Sequence, residues 1–187
     1  AGEGGVRVRL GGPVGELTLA GRKTTGGRTE AGAIRSDAVV ATADYHHVER
    51  ELLPKRARQI PERAWKRKTM SPSSLLFYLG VKGSLEGIPH HTLFFDEDLD
   101  RHMDAVYQHP RWPARPLFYA CAPSRTDPSL APAGHETLFL LVPLAPGLQD
   151  DEAARERTYH VCMERLEKHL GRPLREQVVL KRSYAMR

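Results

Sequence analysis

Thr137-Leu138-Phe139-Leu140-Leu141-Val142 is a continuous apolar run, and a short link later the chain enters the segment from about Asp151 to Leu170. These two stretches decide the fold class. The first reads as a strand covered on both faces. The second reads as a helix. Acidic residues, Asp151 and Glu152, open it and basic residues, Lys168 and His169, close it, as the helix dipole favours. Gly171 is placed to cap it and Pro173 stops continuation. Ala154, Val161, Cys162, Leu166 and Leu170 supply its inward stripe.

Working outward, the same reasoning gives three more strands upstream: Leu75-Leu76-Phe77-Tyr78-Leu79, Thr92-Leu93-Phe94-Phe95, and Leu117-Phe118-Tyr119-Ala120-Cys121-Ala122. Between the last two, Asp98 to Gln108 has helical spacing, with Leu99, Met103, Val106 and Tyr107 expected on one face and Pro110 beyond its end. Gln177-Val178-Val179-Leu180 adds a final strand. This order predicts an α+β domain with a largely antiparallel sheet of about five strands and helices on one face. Residues 54–187 are assigned to it.

Residues 1–53 differ in texture. Val6-Arg7-Val8-Arg9-Leu10 alternates like a half-buried strand, and Glu16-Leu17-Thr18-Leu19 resumes it after Gly11, Gly12 and Pro13. A loose Gly/Thr/Arg loop is expected next. Asp37 to Ala43 reads as a buried strand ending in small residues, where a ligand or another backbone comes close. A helix from about Asp44 to Leu53 ends at Pro54.

Composition is that of an ordinary globular protein: 40% hydrophobic and 27% charged over 187 residues. No apolar run reaches the eighteen or so residues of a membrane span. Ala1-Gly2-Glu3-Gly4-Gly5 shows neither an initiator Met nor a signal peptide and reads as a cut into a longer chain. Cys121 and Cys162, far apart, make no disulfide framework and fit a reducing cytoplasmic setting. The net charge of +5 is uneven. Lys55, Arg56, Arg58, Arg63, Lys66, Arg67 and Lys68 face a single acid, Glu62, within one short run, which suits an anionic membrane surface or simply a solvated face. With Trp65, this run reads as a membrane-facing edge.

No metal site is expected. His46-His47 and His90-His91 are adjacent pairs, and neighbours on a strand point to opposite faces. There is no HExxH, no His/Cys ligand spacing and no nucleophile elbow.

Two features point to a ligand. The strands are apolar on both faces, so the face away from the helices meets protein, a membrane or a greasy ligand. Leu75, Phe77, Leu79, Phe118, Leu138 and Leu140 are the candidate channel residues. The second feature is the loop Ala122 to Glu136, long for a strand connection and stiffened by Pro128 and Pro132. Arg125 and Asp127 are its candidate catalytic groups. Asp127 is read either as a proton acceptor or as Arg125's partner in a charge-assisted bond that braces the loop.

That loop, Ser124-Arg125-Thr126-Asp127-Pro128-Ser129-Leu130-Ala131-Pro132 with Gly134, resembles the bacterial-type phytoene desaturase family. Leu138 to Pro143, Leu76-Phe77-Tyr78-Leu79-Gly80 and His90-His91-Thr92-Leu93 match the same family's pattern, and residues 5–14 and 37–44 look like its return to the flavin domain. The resemblance covers nearly the whole chain. It implies an FAD-dependent, peripherally membrane-associated oxidoreductase that desaturates phytoene or a related long polyene. Val14, Ala41, Thr42 and Ala43 would lie against the cofactor. The family's strand–GxGxxG–helix unit is not in this sequence, so the chain reads as a substrate-side fragment, inactive alone. A related polyene isomerase, saturase or ketolase stays open, as does an oligomer. A basic nucleic-acid-binding module is the rival of a different class; it lacks an aromatic motif on a polar sheet face, so no nucleic acid is expected.

Overall fold

In the computed structural model, the structure describes residues 5–185, and the Gly2-Glu3-Gly4 stretch lies outside them. The chain forms two compact units, 1–69 and 70–187. The seam falls later than the 53/54 boundary drawn from sequence. The reason is Glu49, which is 1% exposed and accepts hydrogen bonds from the amides of Gln59 (3.1 Å) and Ile60 (3.5 Å). That buried carboxylate ties the basic run to the helix before it.

The first unit holds a three-stranded antiparallel meander, β1 (Val14–Ala20), β2 (Lys23–Thr29) and β3 (Gly32–Arg35). Two sequence expectations fail here. Residues 6–10 are exposed and unpaired, while the Gly/Thr/Arg stretch expected to be a loop is the central strand. Gly26 makes that possible: at φ +143° its missing Cβ leaves room for the Ile34 carbonyl, which a Cβ would meet at 1.9 Å. Asp37 to Ala43 is also corrected. It forms no strand, and Val40 is 87% exposed. The helix follows as expected: α1 (Tyr45–His47), capped by the Asp44 carboxylate, continues as a wider turn through Leu52. α2 (Glu62–Trp65) buries Trp65 against Tyr45 and His46.

The second unit is the predicted α+β domain. Strands β4 (Ser73–Lys82), β5 (His91–Phe94), β6 (Phe118–Cys121), β7 (His135–Leu144) and β8 (Val178–Tyr184) form an antiparallel sheet of order β5-β6-β7-β4-β8. α4 (Glu152–Leu170) has the expected ends: Asp151 accepts from the Ala153 amide, and Gly171 turns left-handed at φ 65°. Its buried face is Ala154, Thr158, Tyr159, Cys162, Met163, Arg165 and Leu166; Val161 and Leu170 are only half-buried. α3 (Leu99–Met103), capped by Asp98 and continued to Gln108, buries His102, Ala105 and Val106. Leu99 and Tyr107, expected inward, are each 46% exposed.

The core lies between one sheet face and α4. Leu75, Phe77, Leu79 and Val81 of β4 and Leu138, Leu140, Val142 and Leu144 of β7 meet Tyr159, Cys162, Met163 and Leu166. Each such side chain contributes roughly 1.5–3 kcal/mol by leaving water. Two polar pins close the ends of this layer. The His102 Nδ1 accepts from the Leu117 amide (2.9 Å), so its Nε2 carries the proton and donates to the Pro143 carbonyl (2.9 Å). Burial holds that imidazole below its ordinary pKa. Glu167 accepts from the amides of Leu174 and Arg175 (2.8 Å each) and from the Arg175 guanidinium. Burial pushes its carboxyl up, but these donors outweigh it and hold the pKa at about 2.

Candidate functional site

Because side chains alternate along a strand, the residues between the core positions form a second, outward face. It carries Leu76 and Tyr78 of β4, Phe139 and Leu141 of β7, Tyr119 of β6, His91 and Leu93 of β5, and Leu180 and Tyr184 of β8. Tyr78 is 45% exposed, Leu93 64%, Leu180 51% and Tyr184 54%. Most surfaces that protrude this much apolar area meet a partner or ligand.

The aromatic members form one continuous row across all five strands. Tyr184 meets Tyr78 edge-on (centroids 5.7 Å), Tyr78 meets Phe139 (5.0 Å), Phe139 meets Tyr119 (6.3 Å), and Tyr119 stacks on His91 (5.9 Å). Tilted and edge-on contacts at these distances are the favourable ones for aromatic rings. Four inter-strand spacings make the row about 19 Å long. Three of its five rings, Tyr184, Tyr78 and Tyr119, carry a hydroxyl. The Tyr119 hydroxyl sits 2.5 Å from His91 Nδ1, and its proton is held to about 12, by the neighbouring Cys121 thiol first and by burial second.

The Pro-rich loop roofs one end of this face. Pro123 and Leu130 join Tyr78, Gly80, Thr137, Phe139 and Leu180 around an apolar hollow of about 350 Å³. The loop is stitched to the sheet by polar bonds. Ser124, 6% exposed, donates to the Glu136 carboxylate and accepts from the Thr137 amide (2.9 Å). Arg125 pairs with Glu136 (3.4 Å) and also donates to Ser84 Oγ (3.5 Å). The expected Arg125–Asp127 bond is therefore corrected. Asp127 instead caps the turn Pro128–Leu130, accepting from the Ser129 amide (3.0 Å) and hydroxyl (2.7 Å), bonds that hold its carboxyl below the usual range. Glu136, which does the pairing, escaped the sequence reading because it falls between the matched loop, ending at Gly134, and the matched strand, starting at Leu138.

The six candidate channel residues are placed on the other face. Leu75, Phe77, Leu79, Phe118, Leu138 and Leu140 are each 3% exposed or less and lie in the core cluster with α4. Leu79 and Leu138 reach the rim of the roofed hollow; the rest are sealed from it. Both faces were apolar in sequence, so the alternation carried no sign of which one the helix takes.

In the first unit, Val14 opens β1, an edge strand, and is 41% exposed. Ala41, Thr42 and Ala43 are exposed and outside any strand. The pyrophosphate cradle of a GxGxxG turn is not in the 187 residues. The basic run presents Lys55, Arg56, Arg63, Lys66, Arg67 and Lys68 to solvent, while Arg58 donates to the Leu53 carbonyl (3.1 Å). Trp65 is 9% exposed, so it belongs to the packing of this unit and not to a membrane-facing edge.

Comparisons with known proteins bear on this site. The family model described as flavin containing amine oxidoreductase matches residues 1–185. The carotenoid 3,4-desaturase of Haloarcula japonica is 43% identical over 150 residues, covering 80% of this chain and 30% of that protein. The zeta-carotene-forming phytoene desaturase of Myxococcus xanthus is 37% identical over 143 residues, 76% of this chain and 27% of its own length. The chain thus spans under a third of these relatives. An oxidoreductase from Methanosarcina mazei superposes with a TM-score of 0.56 at 16% identity, over 94% of this chain and 37% of that one. A reduced UDP-galactopyranose mutase superposes at 0.52 with 19% identity, over 87% and 32%. These two speak for the fold alone. Among the described residues, no helix is long and apolar enough to cross a membrane.

Proposed function

The chain belongs to the flavin containing amine oxidoreductase family, and from that premise we propose that it forms the polyene-binding wall of an FAD-dependent carotenoid desaturase. The single observation that carries the reading is the aromatic row on the open sheet face, with its proline-stiffened roof. A conjugated hydrocarbon offers no hydrogen-bonding group. It is recognised by shape, by apolar area and by contact with aromatic faces, and a row of touching rings that spans about 19 Å across the sheet matches a rigid polyene. The names of the relatives, carotenoid and phytoene desaturases, support the substrate class.

The division of labour follows from chemistry. When bound, the flavin supplies the hydride acceptor. The wall holds the polyene straight and removes water from the reacting carbons, which orientation alone makes worthwhile. The loop seals the hollow through Pro123 and Leu130. Asp127 and Arg125 are assigned to holding that loop, since both already have partners, and Val14 with Ala41, Thr42 and Ala43 to the cofactor side. The division of the chain into a cofactor-side and a substrate-side unit rests on the same reading.

The test is made on the full-length flavoprotein. Phe139→Asp sets a charge in the middle of the row. Polyene turnover should fall at least tenfold while flavin content is unchanged; normal turnover would defeat the proposal. The exposed basic run supplies a second contact. Six cations at roughly 1 kcal/mol each suffice to hold the protein reversibly on an anionic bilayer from which a polyene is drawn. Cosedimentation with anionic vesicles should be strong at low salt and lost at high salt. Equal binding to neutral vesicles would remove the electrostatic account.

A further inference from the structure

At the β5 end of the aromatic row stand His90, His91 and Cys121, and we propose that they form a binding site for a thiophilic divalent metal ion, zinc(II) in the first instance. This goes beyond the polyene reading and does not depend on it.

The geometry starts with register. His91 and Cys121 are directly paired across β5 and β6, so both side chains leave the same sheet face. His90 immediately precedes the first residue of β5, and its carbonyl accepts from the Ala122 amide (2.9 Å). Its ring swings beside that of His91, with centroids 4.2 Å apart and planes 32° from parallel. The sequence expectation that these two imidazoles point to opposite faces is thereby corrected. One donor atom from each of the three residues lies within 4.8 Å of the others. In a tetrahedral zinc site with bonds of about 2.0–2.3 Å, donors lie about 3.5 Å apart. The difference is about 1 Å, within the reach of small χ rotations of half-exposed side chains.

A second observation is independent of the spacing. Each imidazole has one nitrogen held by a hydroxyl: His90 Nδ1 by Thr126 Oγ1 at 2.7 Å, and His91 Nδ1 by Tyr119 at 2.5 Å. That is the usual outer support of a metal-binding histidine, whose second nitrogen is oriented by a hydrogen bond. The Nε2 atoms are assigned to the cation on that ground, by rotation of the rings toward Cys121. His90 also lines a hollow of about 390 Å³ with Gly87, Ile88, Pro89, Arg125 and Thr126, a route for an ion from solvent. Arg125 there is already paired with Glu136.

Two imidazoles and a thiolate suit zinc(II) or its thiophilic analogues and not calcium or magnesium. Binding converts the Cys121 thiol to a metal-bound thiolate and releases one proton per ion. The fourth position is left for water. The bound ion would clamp the edge strands to the loop through Thr126.

Cadmium(II) serves as the probe, because thiolate ligation gives an ultraviolet charge-transfer band. The full 187-residue chain has two cysteines, and the other, Cys162, is sealed under α4 with burial pushing its thiol up to about 12. Titration should give one equivalent of the band and one proton released. Cys121→Ser should abolish the band and Cys162→Ala should leave it. His91→Ala keeps the thiol but should weaken binding more than tenfold, and Thr126→Val, which removes only the outer support, by about tenfold. Zinc(II) should compete for the same equivalent, and magnesium(II) should not. A band that survives Cys121→Ser overturns the site, as does a wild-type affinity in His91→Ala, which would mean a thiol binding the ion without the imidazoles. The absence of any band overturns it directly.

Discussion

Tyr78 and Phe77 are neighbours in sequence and stand on opposite faces of β4, so substituting each in turn separates a binding surface from a core. Tyr78 is 45% exposed. A tyrosine side chain has about 200 Å² to bury, so roughly 90 Å² of Tyr78 is open to a ligand. At about 25 cal/mol per Å², covering it contributes about 2 kcal/mol, or a factor of about 30 in affinity. Tyr78→Ala in the full-length flavoprotein should therefore raise the polyene dissociation constant about 30-fold. Its thermal midpoint should move by only a few degrees, since the ring is half in solvent already. Phe77 is fully buried against Tyr159. Phe77→Ala should cost about 3–5 kcal/mol of stability. Phe77→Leu, a milder change, should lower the midpoint while leaving polyene affinity in the folded protein near wild type. The assay is quenching of protein fluorescence by a polyene in detergent micelles, read beside a thermal scan. The reasoning is refuted if Tyr78→Ala binds polyene as wild type does, or if Phe77→Leu weakens binding as much as Tyr78→Ala.

Three further perturbations test the chemistry of the fold and the loop. Glu167→Gln removes the charge that the Leu174 and Arg175 amides share with the Arg175 guanidinium, and denaturant unfolding should show a loss of about 2 kcal/mol. Because the folded pKa of about 2 lies below the ordinary 4.5, that stability is fully present above pH 4.5 and fades as pH falls toward 2. The gap between wild type and variant should close over that window, and a constant gap would contradict the assignment. His102 has its folded pKa lowered from 6.5 by burial, so the unfolded chain takes up its proton first. Stability should decline as pH drops below 6.5, and the His102 ring resonances should stay those of the Nε2–H tautomer there; early titration would contradict the bonds to Leu117 and Pro143. Asp127→Asn keeps an acceptor for Ser129 and should retain turnover in the full-length enzyme with little loss of stability. A fall in turnover of a hundredfold or more would return Asp127 to a proton-transfer role.

Some of this architecture was readable in sequence for definable reasons. α4 announces itself by its ends, since a side-chain cap at Asp151 and a left-handed turn at Gly171 each demand particular residue types. The five strands of the second unit are apolar enough to stand out. β2 was not, because Lys-Thr-Thr-Gly-Gly-Arg-Thr shows no alternation; it holds its place by backbone pairing on both sides and by Gly26, not by burying side chains. Residues 37–43 failed the other way. They have the composition of a buried strand, but no described strand pairs with them, and composition cannot create a partner. The open face was legible as a surplus of apolar residues, without a sign of which set it was. Continuous runs such as Leu75 to Leu79 lack the polar marker that normally identifies the solvent side. The row linking Tyr184 to His91 joins residues from every strand, so it exists only once the register is known.

The pairing of β4 with β8 sets Leu76 opposite Tyr184 and Phe77 opposite Ser183. The first strand of the second unit and the last therefore run side by side in opposite directions. Leu76 and Tyr184 lie about 5 Å apart, and β8 covers the edge of β4 that β7 leaves open. One side of β4 therefore has no hydrogen-bond partner until Val178–Tyr184 is in place, so deleting that strand would leave an open edge to which another chain could add.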